Sequence, residues 1–252
     1  MQSKVYKLLL LVAFYSSLES QVNTESMRSG LNENLLEQSL NIGLNIEQSN
    51  SKISNSSFSY RLDYTDLKKL SSFFVLSYSN SFLEKDNKKN VISNKGFTHG
   101  RLTYQLYGKK FFGEIFLQKE FNDFIYIKDR QLAGSVLRFK LFQSYPLYLG
   151  FGLMSEKEVY ESTQTKDLIR STNYLSGSLN IMKNIKFDNT IYFQFDLSNT
   201  DDYRILLDSM INFTVNEDIS ISCILNYRFD NDPHEGLNQY YYVLSNNLSL
   251  SF

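Results

Sequence analysis

The chain ends on Tyr240-Tyr241-Tyr242-Val243-Leu244-Ser245-Asn246-Asn247-Leu248-Ser249-Leu250-Ser251-Phe252, and the phase of this stretch decides the fold. Tyr240, Tyr242, Leu244, Leu248, Leu250 and Phe252 share one side of a two-residue repeat. Tyr241, Ser245, Asn247, Ser249 and Ser251 share the other. Side chains alternate between the two faces of a β-strand, so this is a strand with one apolar and one polar face. An amphipathic helix needs spacings of three and four, which the stretch does not have.

The same phase runs back along the chain. Ile219, Ile221, Cys223, Leu225, Tyr227 and Phe229 oppose Ser220, Ser222, Asn226, Arg228 and Asp230. Apolar faces then recur around 205–215, 185–197, 175–181, 147–153, 137–141, 111–121, 102–106, 74–78, 58–64 and 40–46. That predicts about twelve strands. Tight turns are expected at Asp66–Lys69, Gly108–Lys110, Ser144–Pro146, Lys183-Asn184 and Asn216–Asp218. Longer polar loops are expected at Glu84–Lys95, Glu161–Asp167, Ser198–Asp202 and Asp230–Asn238. Short turns alternating with longer loops are the pattern of an outer-membrane barrel, with the turns on the periplasmic side. The joints near Asn50 and Asn122 are short for outer loops, which leaves ten or fourteen strands as alternatives.

The N-terminus reads as an export signal. Lys4 and Lys7 precede the apolar run Leu8–Phe14, and Ser16, Ser17 and Ser20 supply small residues for cleavage near Ser20. The run is too short to span a bilayer, and no later stretch reaches 18 consecutive apolar residues. Without such a helix, a membrane protein can satisfy its backbone only as a closed barrel. The expected organisation is therefore a signal peptide over 1–20, a periplasmic lead-in over 21–35 and a barrel over 36–252. The fold class is all-β: a transmembrane, antiparallel, up-and-down β-barrel of about twelve strands. A terminal Phe252 closing an alternating strand looks like the signal read by the barrel-assembly machinery.

Composition narrows function mainly by exclusion. The 252 residues carry 26 Lys+Arg and 27 Asp+Glu. A formal charge of -1 offers no basic excess for nucleic acid. The single cysteine, Cys223, excludes an intramolecular disulfide framework. Two histidines leave little for a metal centre, and no metal or other cofactor is expected. Ser and Asn are abundant, at 33 and 24, beside 18 Tyr and 20 Phe. Tyr60, Tyr78, Tyr104, Tyr148, Tyr192, Tyr203, Tyr227 and Tyr240 suit interfacial girdles.

If the apolar face meets lipid, the charges go inward, because charge against lipid is costly. The expected lumen-lining residues are Arg61, Arg101, Glu114, Glu120, Arg138, Glu156, Glu158, Arg170, Asp188, Asp196, Arg204, Asp208 and Arg228, with Asp63, Lys140 and Asp230 in the same phase. Such a wall serves either a selective pore or a plug of ion pairs. A lipid hydrolase built on His99, placed near the outer rim, is a remote third reading. No nucleophile-elbow pattern surrounds a serine, and no catalytic residue is assigned. Asp230, Asp232 and Glu235 around Gly236 read as a solvated acidic loop rather than a calcium site.

Several segments resemble one known family. They are Gly96-Phe97-Thr98-His99-Gly100-Arg101 leading to Tyr104-Gln105-Leu106; Gly150-Phe151-Gly152-Leu153-Met154 with Glu156; Arg170-Ser171-Thr172-Asn173-Tyr174-Leu175-Ser176; Asp202-Tyr203-Arg204-Ile205; and Asn226-Tyr227-Arg228-Phe229-Asp230 with Pro233 and the closing Leu248–Phe252. With these the chain resembles the domain of unknown function 481 family, the YdiY-like salt-induced outer-membrane proteins. The family often has a second proline where His234 stands. The resemblance implies an outer-membrane barrel and transfers no catalytic residue. The expected setting is a Gram-negative cell envelope: a non-enzymatic monomer among outer-membrane lipid and lipopolysaccharide, passing small solutes or sealed as a structural, stress-response barrel.

Overall fold

The computed structural model describes residues 36–66, 69–86, 88–162, 164–216 and 219–250. The segments read as signal peptide and lead-in, and the terminal Phe252, lie outside the described residues. Twelve strands form one sheet in sequence order, each antiparallel to the next. They are β1 Leu36–Gln48, β2 Lys52–Thr65, β3 Leu70–Lys85, β4 Lys88–Tyr107, β5 Phe111–Asn122, β6 Ile127–Lys140, β7 Leu147–Tyr160, β8 Thr165–Met182, β9 Ile185–Asp196, β10 Tyr203–Thr214, β11 Ile219–Asp230 and β12 Tyr240–Leu250. This is the expected all-β, up-and-down count. Among the described residues, no ladder joins β1 to β12.

The sheet nevertheless rolls upon one face. Strands that are not neighbours touch across the concavity: Arg101 on β4 reaches Tyr192 on β9 at 3.5 Å, and the Tyr174 hydroxyl on β8 donates to Glu114 on β5 at 3.1 Å. Inside lies an apolar cluster of Phe116, Leu132, Val136, Met154, Tyr174, Tyr192 and Leu206, drawn from β5 to β10. Small residues make this packing possible. A Cβ on Gly150 would lie 2.2 Å from the Tyr174 ring, and one on Gly134 would lie 2.5 Å from the Phe116 ring. The glycines are therefore seats for aromatic rings, since contacts this close cannot be relaxed in a dense core.

The outer face carries the apolar set. Ile42, Leu44, Ile115, Leu117, Leu137, Phe151, Leu153, Phe193 and Leu244 are all exposed. Cys223 pairs with Ile211 on this same face.

Two expected loops are corrected. Glu84–Lys95 is mostly strand, because β3 runs to Lys85 and β4 restarts at Lys88. Glu84 faces Lys89 and Lys85 faces Lys88, with a register shift at Ser81/Phe82. Beyond the Phe82–Val91 pair this ribbon is polar on both faces, so its tip carries no period-two signal. In the Glu161–Asp167 loop, β8 already begins at Thr165. Between β5 and β6 sits a 3₁₀ turn, Asp123–Ile125, in which the Phe124 amide donates to Asn122 Oδ1 at 3.1 Å. Tyr126 then leaves it at φ 58°.

Candidate functional site

The inward face of β5 to β10 concentrates charge. On β7, the phase that exposes Phe151 and Leu153 outward aims Glu156 and Glu158 inward, where both are fully buried. Three arginines converge on them from separate strands. Arg130 of β6 donates to Glu156 Oε1 at 2.5 Å and to Glu120 at 2.8 Å, and lies 3.0 Å from Glu158. Arg204 of β10 donates to Glu156 at 2.7 Å, to Glu158 at 3.2 Å and to Asp230 at 2.7 Å. Arg170 of β8 donates to Glu156 Oε2, and forks onto Asp202 at 2.9 and 3.1 Å. The Tyr160 hydroxyl donates to Glu158 at 2.7 Å. Bidentate guanidinium–carboxylate pairing is the strongest neutral-pH arrangement for buried charge.

A second group sits on the other side of the apolar cluster. Glu114 accepts from Arg101 at 3.2 Å, Arg138 at 3.4 Å, Thr103 at 3.3 Å and Tyr174 at 3.1 Å. Arg138 also lies 3.8 Å over the Tyr148 ring. A third pair joins Arg228 to Asp208 at 2.6 Å, where Asn226 donates to the same oxygen at 2.8 Å. Between the first two groups, a void of about 20 Å³ is lined by Arg101, Gln118, Thr172, Tyr192 and Gln194 among others. That is room for one water. A larger groove, about 450 Å³, lies on the outer face around Leu102, Ile115, Phe151 and Leu153.

Of the residues expected in the interior, Arg101, Glu114, Glu120, Arg138, Glu156, Glu158, Arg170, Asp196, Arg204, Asp208 and Arg228 are buried. Asp196 is held by Ser198, whose hydroxyl donates to it at 2.6 Å. Arg61 is only half-buried, forked onto Asp63, and Asp188 pairs with Lys186 at 3.0 Å toward the strand end. Two members escaped the sequence reading. Arg130 was passed over because Ala133-Gly134-Ser135 interrupts the apolar phase of β6, and Gly134 is small only to seat Phe116. Asp202 reads as loop, yet it is buried against Arg170. Gln118 is buried on the polar side of β5, in the phase of Glu114 and Glu120.

His99 is corrected from rim to core. It is buried mid-strand on β4, its Nδ1 lies 3.2 Å from Gln118 Oε1, and its ring stacks near Phe97 and Phe116. Tyr192 and Tyr148 are corrected from girdle to interior, since their phase matches Gln194 and Glu156 respectively.

The other sector of the same face is different. Along β1, β2 and β3 the inward positions include Ser39, Asn41, Gly43 and Asn45; Asn55, Ser57 and Ser59; and Ser77, Ser79 and Ser81, with Glu37, Glu47, Arg61, Asp63, Phe73 and Val75 in the same phase toward the strand ends. Asn41 donates to Ser59 at 3.3 Å, and the Ser81 hydroxyl to Asn55 at 2.5 Å. On β11 and β12 this neutral surface continues through Ser222, Ser245 and Asn247. Asn41 and Ser57 are exposed, whereas the inward positions of β7 around Glu156 are buried.

The family model for the protein of unknown function DUF481 matches residues 40–252. The chain belongs to this family. No curated protein matches the chain. Among solved structures, the chain is similar to the translocator domain of the autotransporter NalP from Neisseria meningitidis, at 10% identity and a TM-score of 0.44 over 86% of this chain and 87% of that one. It is also similar to the NanC porin, at 10% identity and 0.45 over 85% and 100%. The KdgM porin gives 10% and 0.41 over 84% and 98%. Likenesses this loose leave the function of this DUF481 member to its own residues.

Proposed function

We propose that this protein is an outer-membrane β-barrel with a narrow, off-centre passage for small solutes. The observation that carries the membrane reading is the inversion of the ordinary burial rule. Charged side chains are inside, and a belt of Leu, Ile and Phe is outside on strands throughout the sheet. A soluble protein does not leave so continuous an apolar surface in water. In lipid the backbone must be fully paired, so β12 would close on β1. Their phases agree: Asn41 and Asn247 both face inward, while Leu40 and Leu248 face outward.

In the closed barrel the interior divides. The β5–β10 sector is filled by ion pairs and aromatic rings. The middle of the β12–β1–β2–β3 sector is lined by serine and asparagine, which offer neutral donors and acceptors, with Glu37, Glu47, Arg61 and Asp63 in the same phase nearer the strand ends. A passage along that wall favours small uncharged polar solutes over ions of either sign. The salt-bridged half acts as scaffold, and no catalytic step is assigned to it. A second reading, a fully plugged structural barrel, is favoured by the void of only about 20 Å³ within the packed half. Liposome swelling with neutral sugars tests the choice: swelling with the refolded, heat-modifiable barrel is expected, and its absence would leave the plugged reading. Export by a cleaved signal, delivery by the barrel-assembly machinery through the Phe252 end, and contact with lipopolysaccharide complete the proposal.

A further inference from the structure

The groove on the outer face lies below a row of polar and basic side chains. Turns 108–110 and 183–184 lie at one end of the sheet, with the start of β1 and the end of β12; the 231–239 loop lies at the other. Short turns face the periplasm and longer loops face outside, so the latter end is the outer one. Near it, Lys119 of β5, Gln131 of β6 and Lys157 of β7 stand side by side in the outward phase, and all three are exposed. Asp129 accepts from Gln131 at 2.7 Å and lies 3.2 Å from Lys119, which ties those two side chains together. Lys128 is exposed next to Asp129, and Lys157 faces Asp167 across the β7–β8 ladder. At the same end of β9, β10 and β11 the outward residues are instead Phe195, Tyr203 and Phe229.

Below the row the outer face is furrowed. On β6, Ala133 stands between Leu117 and Ser155, and Ser135 stands between Ile115 and Leu153. The furrow opens into the groove of about 450 Å³, where Gly113 leaves a gap beside Leu137 and Phe151. From Gln131 to Leu137 is six positions along β6. At about 3.3 Å per residue and a tilt near 40°, they descend about 15 Å, half the thickness of a bilayer's hydrocarbon core. With the lysines at headgroup level, the groove therefore sits near the bilayer midplane, where an outer-leaflet acyl chain ends. Two ammonium groups at headgroup level suit a phosphate, and the exposed Lys119–Asp129 pair is weak enough to share its cation. We infer that Lys119, Gln131 and Lys157, with the groove beneath them, bind lipopolysaccharide: a lipid A phosphate on the ammonium groups and one acyl chain along β6. The inference rests on the outer-membrane reading above and gives its lipid contact a place; it does not depend on the passage.

The test uses the full refolded chain in dodecyl maltoside, with folding read from heat-modifiable migration. Bis-phosphorylated lipid A, its dephosphorylated form and phosphatidylethanolamine are offered at equal concentration, and retained lipid is counted by native mass spectrometry. Retention of bis-phosphorylated lipid A several-fold above the other two is expected. It should fall several-fold in Lys119→Gln with Lys157→Gln and persist in Lys119→Arg with Lys157→Arg. Ser135→Phe, which fills the groove at an exposed position, should lower retention and leave migration unchanged. Equal retention of the dephosphorylated form or of phosphatidylethanolamine overturns the phosphate site. Unchanged retention in the glutamine variant puts the lipid elsewhere and overturns the assignment. A dimer that Ser135→Phe dissociates gives the groove to a second copy of the chain and overturns it as well. A folded barrel that retains no lipid A overturns the site alone, whereas a chain that forms no heat-modifiable barrel overturns the outer-membrane reading with it.

Discussion

The two sectors of the inner face are built on the same strand geometry and differ in how they treat water. Around Glu156, three guanidiniums from β6, β8 and β10 converge on one carboxylate, and none of these groups is left to solvent. Around Ser57 the side chains are short and uncharged and pair across the sheet, as Asn41 does with Ser59. Burying charge is tolerated only when every partner is present, because desolvation of an unpaired ion is so costly. A hydroxyl can lose its partner and turn to water. The charged sector is thus brittle and fixed, and the neutral sector is tolerant and accessible.

This difference is most sharply broken at Glu156. Glu156→Ala leaves Arg130, Arg170 and Arg204 without their shared acceptor, and a loss of about 3–5 kcal/mol is expected in urea unfolding of the refolded barrel. An effect below 1 kcal/mol would mean that the network is not paired as described. Packing gives the next largest effect. Gly150→Val drives a side chain into the Tyr174 ring, and about 1–3 kcal/mol of overpacking strain is expected in the same assay. In the neutral sector, Ser57→Trp is expected to leave stability within about 0.5 kcal/mol while more than halving the flux of neutral sugars. Equal flux with a stable barrel would move the passage elsewhere. The smallest effect belongs to the exposed Lys119–Asp129 pair, 3.2 Å apart. Lys119→Ala should change stability by no more than about 0.5 kcal/mol, and less at high salt.

Closure is testable independently of transport. Of cysteines placed singly at Ser39, Asn41, Gly43 and Asn45, at least one should cross-link oxidatively with Asn247→Cys, in a Cys223→Ser background, in the membrane-inserted protein. Leu40→Cys with Asn247→Cys, which face opposite sides, should not. Reversal of that preference would shift β12 by one residue and turn its apolar face inward.

The fold was legible in the sequence because lipid and lumen sort side chains by phase. Ile219 to Asp230 and the closing stretch from Tyr240 alternate with little interruption, and each proved to be a strand. The inward direction of Glu114, Glu156 and Arg204 follows from the same phase. What phase could not carry was anything decided between non-adjacent strands. Gly134 breaks the alternation of β6 to admit Phe116, and Arg130 was lost with it. The Lys85–Lys88 ribbon is polar on both sides, so nothing in its sequence marks it as strand. His99 and Tyr192 look like surface groups by type, and only the rolled sheet buries them. The stacking of His234 on Tyr160 joins residues 74 positions apart, with no local signal at either end.

The most direct test of the two-sector account is single-channel conductance of the refolded barrel between salt solutions of unequal concentration. The account predicts small, steady steps with a reversal potential near zero, reduced by Ser57→Trp and unchanged by Lys119→Ala. A strongly ion-selective current, altered by conservative replacement of Arg130 or Glu120, would contradict it, because the charged sector would then line the path.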